Sequence, residues 1–136
     1  MNVYEWEDLK VGLAHAFDVT VSEKMLLGFL DQTGDTNPLH VDAEYARSRG
    51  FEDRVVYGLL TSSFYSTLVG VHLPGRNALL HGLSITFQKP VYVGVPLRVS
   101  GEIKFMSEAY RRLEIAGSIT SNGEHVSRAK ILVGVL

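Results

Sequence analysis

The chain has 136 residues, 46% of them hydrophobic and 21% charged, with a formal net charge of −2 and no cysteine. That length supports one good core, so a single domain over residues 1–136 is expected. The even charge balance without a basic run argues against nucleic acid as a partner, and the lack of cysteine excludes disulfides, thiolate catalysis and Cys-ligated zinc. No apolar run reaches the ~18 residues that would span a membrane. The opening Met1-Asn2-Val3-Tyr4-Glu5-Trp6 lacks the basic-then-apolar pattern of a signal peptide. A cytoplasmic protein with no membrane partner is the expectation.

Residues 5–12 are polar and turn-like, and Leu13 to Val19 alternates as a short strand. Ser22 is placed to cap a helix starting at Glu23, whose carboxylate suits the positive end of the helix dipole. Leu26, Phe29, Leu30 and Thr33 follow at the spacing of one helix face. Gly34 is placed to end that helix in the left-handed conformation. A loop over residues 34–40 follows, and Asp42 then caps a second short helix that Gly50 closes. The stretch from Gly58 to Val71 has no ionisable side chain except Tyr65, and its polar residues are small hydroxyls. It reads as a central helix buried on every side. Four serines and threonines among the six residues 61–66 weaken it in isolation, so tertiary packing must hold it. Pro74-Gly75 ends it.

From residue 78 onward the period becomes two. Leu83, Ile85 and Phe87 form the apolar side of one strand, and Leu97, Val99, Ile103 and Phe105 that of the next, with Gly101 in register. Leu113, Ile115 and Ile119 mark a third strand, and a fourth runs from about His125 to Val135. Asn122-Gly123 is a strong hairpin signal, because a type I′ turn needs positive φ at both central residues. Four long strands with one apolar face predict an antiparallel sheet wrapped around the central helix, an α+β architecture. A dimer could cover the remaining sheet surface and edge.

Chemistry is suggested at one place, Gly34-Asp35-Thr36-Asn37-Pro38-Leu39-His40. A carboxylate and an imidazole stand five residues apart on a loop stiffened by proline. One reading is a plain turn in which Asp35 and Asn37 satisfy local backbone groups. The other is a general acid–base pair converging on one water. A calcium loop fails for want of the central glycine and closing glutamate. A serine nucleophile finds no Gly-x-Ser-x-Gly elbow. His15 and His125 read as solvated or structural, His72 as a partner of the helix C-terminus, and His81 as the start of a strand.

The same stretch, followed by Val41-Asp42 and Ala46, resembles the signature of the MaoC-like, (R)-specific enoyl-CoA hydratase family. Two further blocks resemble it in the same order, Phe51-Glu52-Asp53-Arg54-Val55-Val56-Tyr57-Gly58 and Phe87-Gln88-Lys89-Pro90-Val91-Tyr92-Val93-Gly94. The resemblance implies the hot-dog fold, usually a homodimer, with Asp35 and His40 as the catalytic pair. It implies a water activated by that pair and added across the 2,3-double bond of an enoyl thioester. The reverse is dehydration of an (R)-3-hydroxyacyl thioester. Gly58 would offer its N–H to the thioester oxygen at a helix N-terminus. Ser66 would lie near the site, and Asn37 would hold the loop. The chain departs from the family in carrying Tyr57 where His is usual before that glycine, in the thioester environment. The substrate would be carried on CoA or an acyl-carrier protein, and no cofactor or metal is expected. Two alternatives are a hot-dog acyl-thioesterase and a non-catalytic acyl-thioester-binding member.

Overall fold

The computed structural model describes residues Met1–Leu136. Strand β1 (Ala14–Thr20) leads into helix α1 (Glu23–Thr33). Local chemistry fixes both ends of α1. The Ser22 hydroxyl accepts the Met25 N–H at 3.1 Å, and Gly34 turns left-handed at φ 69° while its N–H reaches the Leu30 carbonyl at 2.8 Å. The next stretch is not all loop. Asn37 accepts the Leu39 N–H at 3.0 Å and Pro38 occupies the first helical position, so residues Pro38–Val41 close one helical turn, α2. Asp42 then accepts the N–H groups of Glu44 and Tyr45 and starts α3 (Ala43–Ser48).

The central helix α4 (Gly58–Thr67) runs into a wider π-helical turn over Leu68–His72, where the Leu73 N–H bonds the Leu68 carbonyl at 2.9 Å. Four strands follow, β2 (Ala78–Phe87), β3 (Pro96–Ser107), β4 (Arg112–Ser121) and β5 (Glu124–Val135). With β1 they form one antiparallel sheet in the order β1-β3-β4-β5-β2. Asn122 and Gly123 have φ of 50° and 77°, the type I′ geometry expected of them between β4 and β5.

The helix sits on the sheet because the sheet is shallow beneath it. Gly101, Gly117 and Ala129 lie side by side across β3, β4 and β5. A Cβ on Gly101 would stand 2.6 Å from Leu68 Cδ2, and one on Gly117 would stand 2.8 Å from Tyr65 Cε1. Around this trough, Val99, Ile103, Leu113, Ile115, Ile119, Ile131 and Val133 are fully buried. The Tyr65 hydroxyl is paired with Ser127 Oγ at 2.8 Å, which satisfies this buried polar group and offsets the cost of its burial. This is the hot-dog arrangement, a sheet around a helix.

Three expectations need correction, one of them Phe105 of β3, which is 59% exposed because the register shifts between Ile103 and Phe105 and turns its side chain off the apolar face. Helix α4 is not buried on every side, since Leu59 is 69% exposed and Ser63, Ser66 and Thr67 also face outward. The sheet covers one side of the helix, and the small hydroxyls of the other side remain open. The apolar residues Leu83 and Phe87 of β2 are likewise exposed, at 40% and 53%, because β2 is an edge strand with β5 as its single neighbour.

Candidate active site

The loop between α1 and α2 is built by its own side chains. The Asp35 carboxylate accepts the Asn37 N–H at 3.1 Å, and Asn37 in turn caps α2. Asp35, Thr36 and Asn37 are exposed. Helix α2 then carries His40 inward. The His40 Nδ1 stands 2.6 Å from the Val55 carbonyl, and the Val55 N–H returns to the Leu39 carbonyl at 3.0 Å. A carbonyl only accepts, so Nδ1 carries the proton and donates. The neutral ring therefore keeps its lone pair on Nε2.

Tyr57 joins the two parts. Its ring packs on His40 with centroids 4.1 Å apart and on Phe29 of α1 at 4.8 Å. Its hydroxyl donates to the Asp35 main-chain carbonyl at 2.6 Å. Burial raises the Tyr57 pKa above a tyrosine's ordinary value, and the nearby Asp35 charge adds to that. The hydroxyl thus stays protonated and remains a donor.

Tyr57 is also the residue at which α4 starts. Its carbonyl accepts the N–H groups of Leu60 and Thr61, and no side chain caps the helix. Gly58, the first residue of α4, leaves its N–H at the positive end of the helix dipole. A cavity of about 280 Å³ opens against it, lined by His40, Gly58, Thr61, Phe87, Val91 and Ser127 among others. The space for a Cβ at Gly58 is already taken, since Phe87 Cε1 and Cζ lie 3.0 Å from where it would stand. The segment before Tyr57 is anchored from outside by Arg54, which forms a two-pronged ion pair with Glu23 at 2.9 and 2.7 Å.

Of the six residues singled out from sequence, His40 and Gly58 line the cavity together. Asp35 and Asn37 shape the loop beside His40, and Tyr57 lies beneath it, 2% exposed. Ser66 is on the open face of α4 and is not among the cavity-lining residues. Val55, which orients the imidazole, was missed, because a partner 15 residues away leaves no local pattern. Phe87 was read as an inward strand residue; its place over Gly58 depends on the sheet bringing β2 beside α4.

Comparison with known proteins agrees with the fold. The family described as "MaoC like domain" matches residues 10–122. A 3-hydroxybutyryl-CoA dehydratase of Methylorubrum extorquens is 31% identical over 135 residues, covering 99% of this chain and 86% of that protein. An (R)-specific enoyl-CoA hydratase of Rhodospirillum rubrum is 32% identical over 130 residues, covering 90% of this chain and 89% of that protein. The solved structure of an (R)-hydratase from A. caviae involved in PHA biosynthesis superposes with a TM-score of 0.91 at 27% identity, covering 96% of this chain and 99% of that one. With the family pattern over most of its length and relatives matched nearly end to end, the chain belongs to the MaoC-like domain family.

Proposed function

We propose that the protein is an (R)-specific enoyl-thioester hydratase, or in reverse a 3-hydroxyacyl-thioester dehydratase, acting on a substrate carried by CoA or an acyl-carrier protein. The observation that carries this reading is the pinned imidazole. Its Nδ1–H is spent on the Val55 carbonyl, so Nε2 is the basic nitrogen, on a residue that shares a cavity with an uncapped helix N-terminus. The relatives named for hydration and dehydration support the same chemistry.

The thioester oxygen takes the Gly58 N–H, where enolate charge develops during addition. One water is held by His40 Nε2 and the Asp35 carboxylate. As its oxygen bonds to C3, the pair removes one of its protons, and the pair returns one proton to C2. The double-bond electrons pass to the thioester oxygen and back to C2, so charge and protons balance. Both transfers occur from one side, and the addition is syn. Holding the water between two fixed groups removes much of the entropic barrier. Asn37 serves the loop through its cap on α2, and Ser66 takes no part in these steps.

The protein works in the cytoplasm as one domain and as a homodimer in this reading. A second copy would cover the open face of α4 at Leu59 and the exposed apolar residues of β2. Incubation with crotonyl-CoA separates the reaction classes. Loss of enoyl absorbance without free thiol is expected. Release of thiol would replace this reading with thioester hydrolysis, and an unchanged substrate would favour a binding role.

A further inference from the structure

We propose that Tyr57 is a positioning residue that holds the acid, the base and the thioester-oxygen donor in one fixed relation. The inference rests on the assignment of Asp35, His40 and Gly58 given above. Residues 34–37 are tied almost wholly to themselves and their neighbours. The Gly34 N–H bonds Leu30, the Asp35 N–H bonds Thr33 Oγ1 at 3.3 Å, and the Asn37 N–H bonds Asp35 itself. The one hydrogen bond that ties this segment to a distant part of the chain is the Tyr57 hydroxyl on the Asp35 carbonyl. An exposed carboxylate on such a loop would otherwise sample many positions, and ordering it costs conformational entropy that something must offset.

The same side chain limits the imidazole. His40 is pinned in its plane by Val55, while the Tyr57 ring lies against its face. Phe29 also packs on the Tyr57 ring, at 4.8 Å between centroids, and limits its movement. The main chain of Tyr57 opens α4 and so places the Gly58 N–H. One buried residue therefore touches each of the three parts of the site without being among the residues that line the cavity. The aromatic residue at the position where the family usually has histidine is thus used for geometry in this chain, and not for reading the acyl group.

The test is a double-mutant cycle on crotonyl-CoA hydration with Tyr57→Phe, Asp35→Asn and both together. Tyr57→Phe keeps the ring contacts and removes only the hydroxyl. The expected result is a folded variant whose kcat falls about tenfold, the scale of one net hydrogen bond, with KM unchanged. In the Asp35→Asn background the same change should cost less than about twofold, because the group it steers is already lost. Equal factors in both backgrounds, a loss confined to KM, or a wild-type rate would each overturn the proposal. Backbone order parameters of residues 35–37, measured by ¹⁵N NMR without substrate, provide a second reading. They should drop in Tyr57→Phe while those of β4 stay fixed, and unchanged values at 35–37 would overturn the brace. If wild-type protein leaves crotonyl-CoA unaltered, the functional reading fails, while the NMR result still decides the role of Tyr57.

Discussion

The two ends of the central helix are built from the same kinds of residue and treated in opposite ways. At the C-terminal end, Asn2 donates to the carbonyls of Val71 and His72 at 2.8 and 2.9 Å, which satisfies the carbonyls a helix leaves free. Val3 pairs with Gly75, His72 stacks on Phe17 at 4.8 Å, and the Tyr4 hydroxyl pairs with His15 Nε2 at 2.8 Å. At the N-terminal end there is also a histidine against an aromatic ring, but no side chain caps the helix and a cavity lies against its first residue. A histidine among aromatics is not in itself a site. What distinguishes the N-terminal end is that its histidine, His40, and the first residue of the helix, Gly58, line one cavity.

The sharpest way to break that contrast is to remove one histidine from each end. His40→Ala should lower crotonyl-CoA turnover on the order of 10²–10⁴-fold, the range of a general acid–base group. His72→Gln should keep turnover within about twofold. Comparable losses in the two variants would erase the distinction.

A matched pair of glycines gives the next largest effect. Gly58→Ala puts a methyl 3.0 Å from the Phe87 ring, and roughly a tenfold loss of kcat/KM is expected from the shifted donor and cavity wall. Gly75→Ala places a methyl 2.1 Å from the Asn2 carbonyl at a φ of 85°, and should lower stability by about 1–3 kcal/mol while kcat holds. Thermal midpoints and rates on both variants sort the two outcomes.

The sealed end also predicts a pH effect. Burial lowers the His72 pKa from its ordinary 6.5, with His15 and the chain's N-terminal amine adding repulsion. The folded state then binds fewer protons than the unfolded chain as pH falls below 6.5, so stability declines with acidification and is level above that value. His72→Gln should flatten this slope in urea unfolding measured from neutral pH downward. A slope that persists would assign it to other groups.

The smallest effect belongs to the outer anchor. Arg54 holds the Glu23 carboxyl below its ordinary 4.5 through hydrogen bonds and charge. A depressed carboxylate stabilises the fold above its unfolded pKa and loses that contribution as pH falls. Because Glu23 is half exposed, solvent screening limits Glu23→Gln to about 0.5 kcal/mol at neutral pH. A loss of several kcal/mol would mean that this ion pair holds the site directly.

The sequence made legible what short-range physics decides. Ser22 and Gly34 bound α1 as expected, Asn122-Gly123 turns as expected, and Gly101 lies under the helix as its register implied. Of the loop motif, His40 lines the cavity of the candidate site together with Gly58. Less legible was anything set by distant partners. The open face of α4 and the exposed side of β2 depend on how far the sheet reaches, which periodicity does not encode. The Val55 carbonyl on His40 and the Tyr57 hydroxyl on Asp35 span 15 and 22 residues. The one-turn helix α2 was legible in principle, since Asn37-Pro38 is a helix start, but four residues are too few for a periodic pattern.

The central claim is that Asp35 and His40 activate one water, and Asp35→Asn tests it most directly. Asparagine can still accept the Asn37 N–H, so the turn and α2 should survive the change. The measurement is kcat for crotonyl-CoA hydration, with circular dichroism confirming the fold. The account predicts a fall on the order of 10²–10⁴-fold. Near wild-type turnover in a folded Asp35→Asn protein would contradict it.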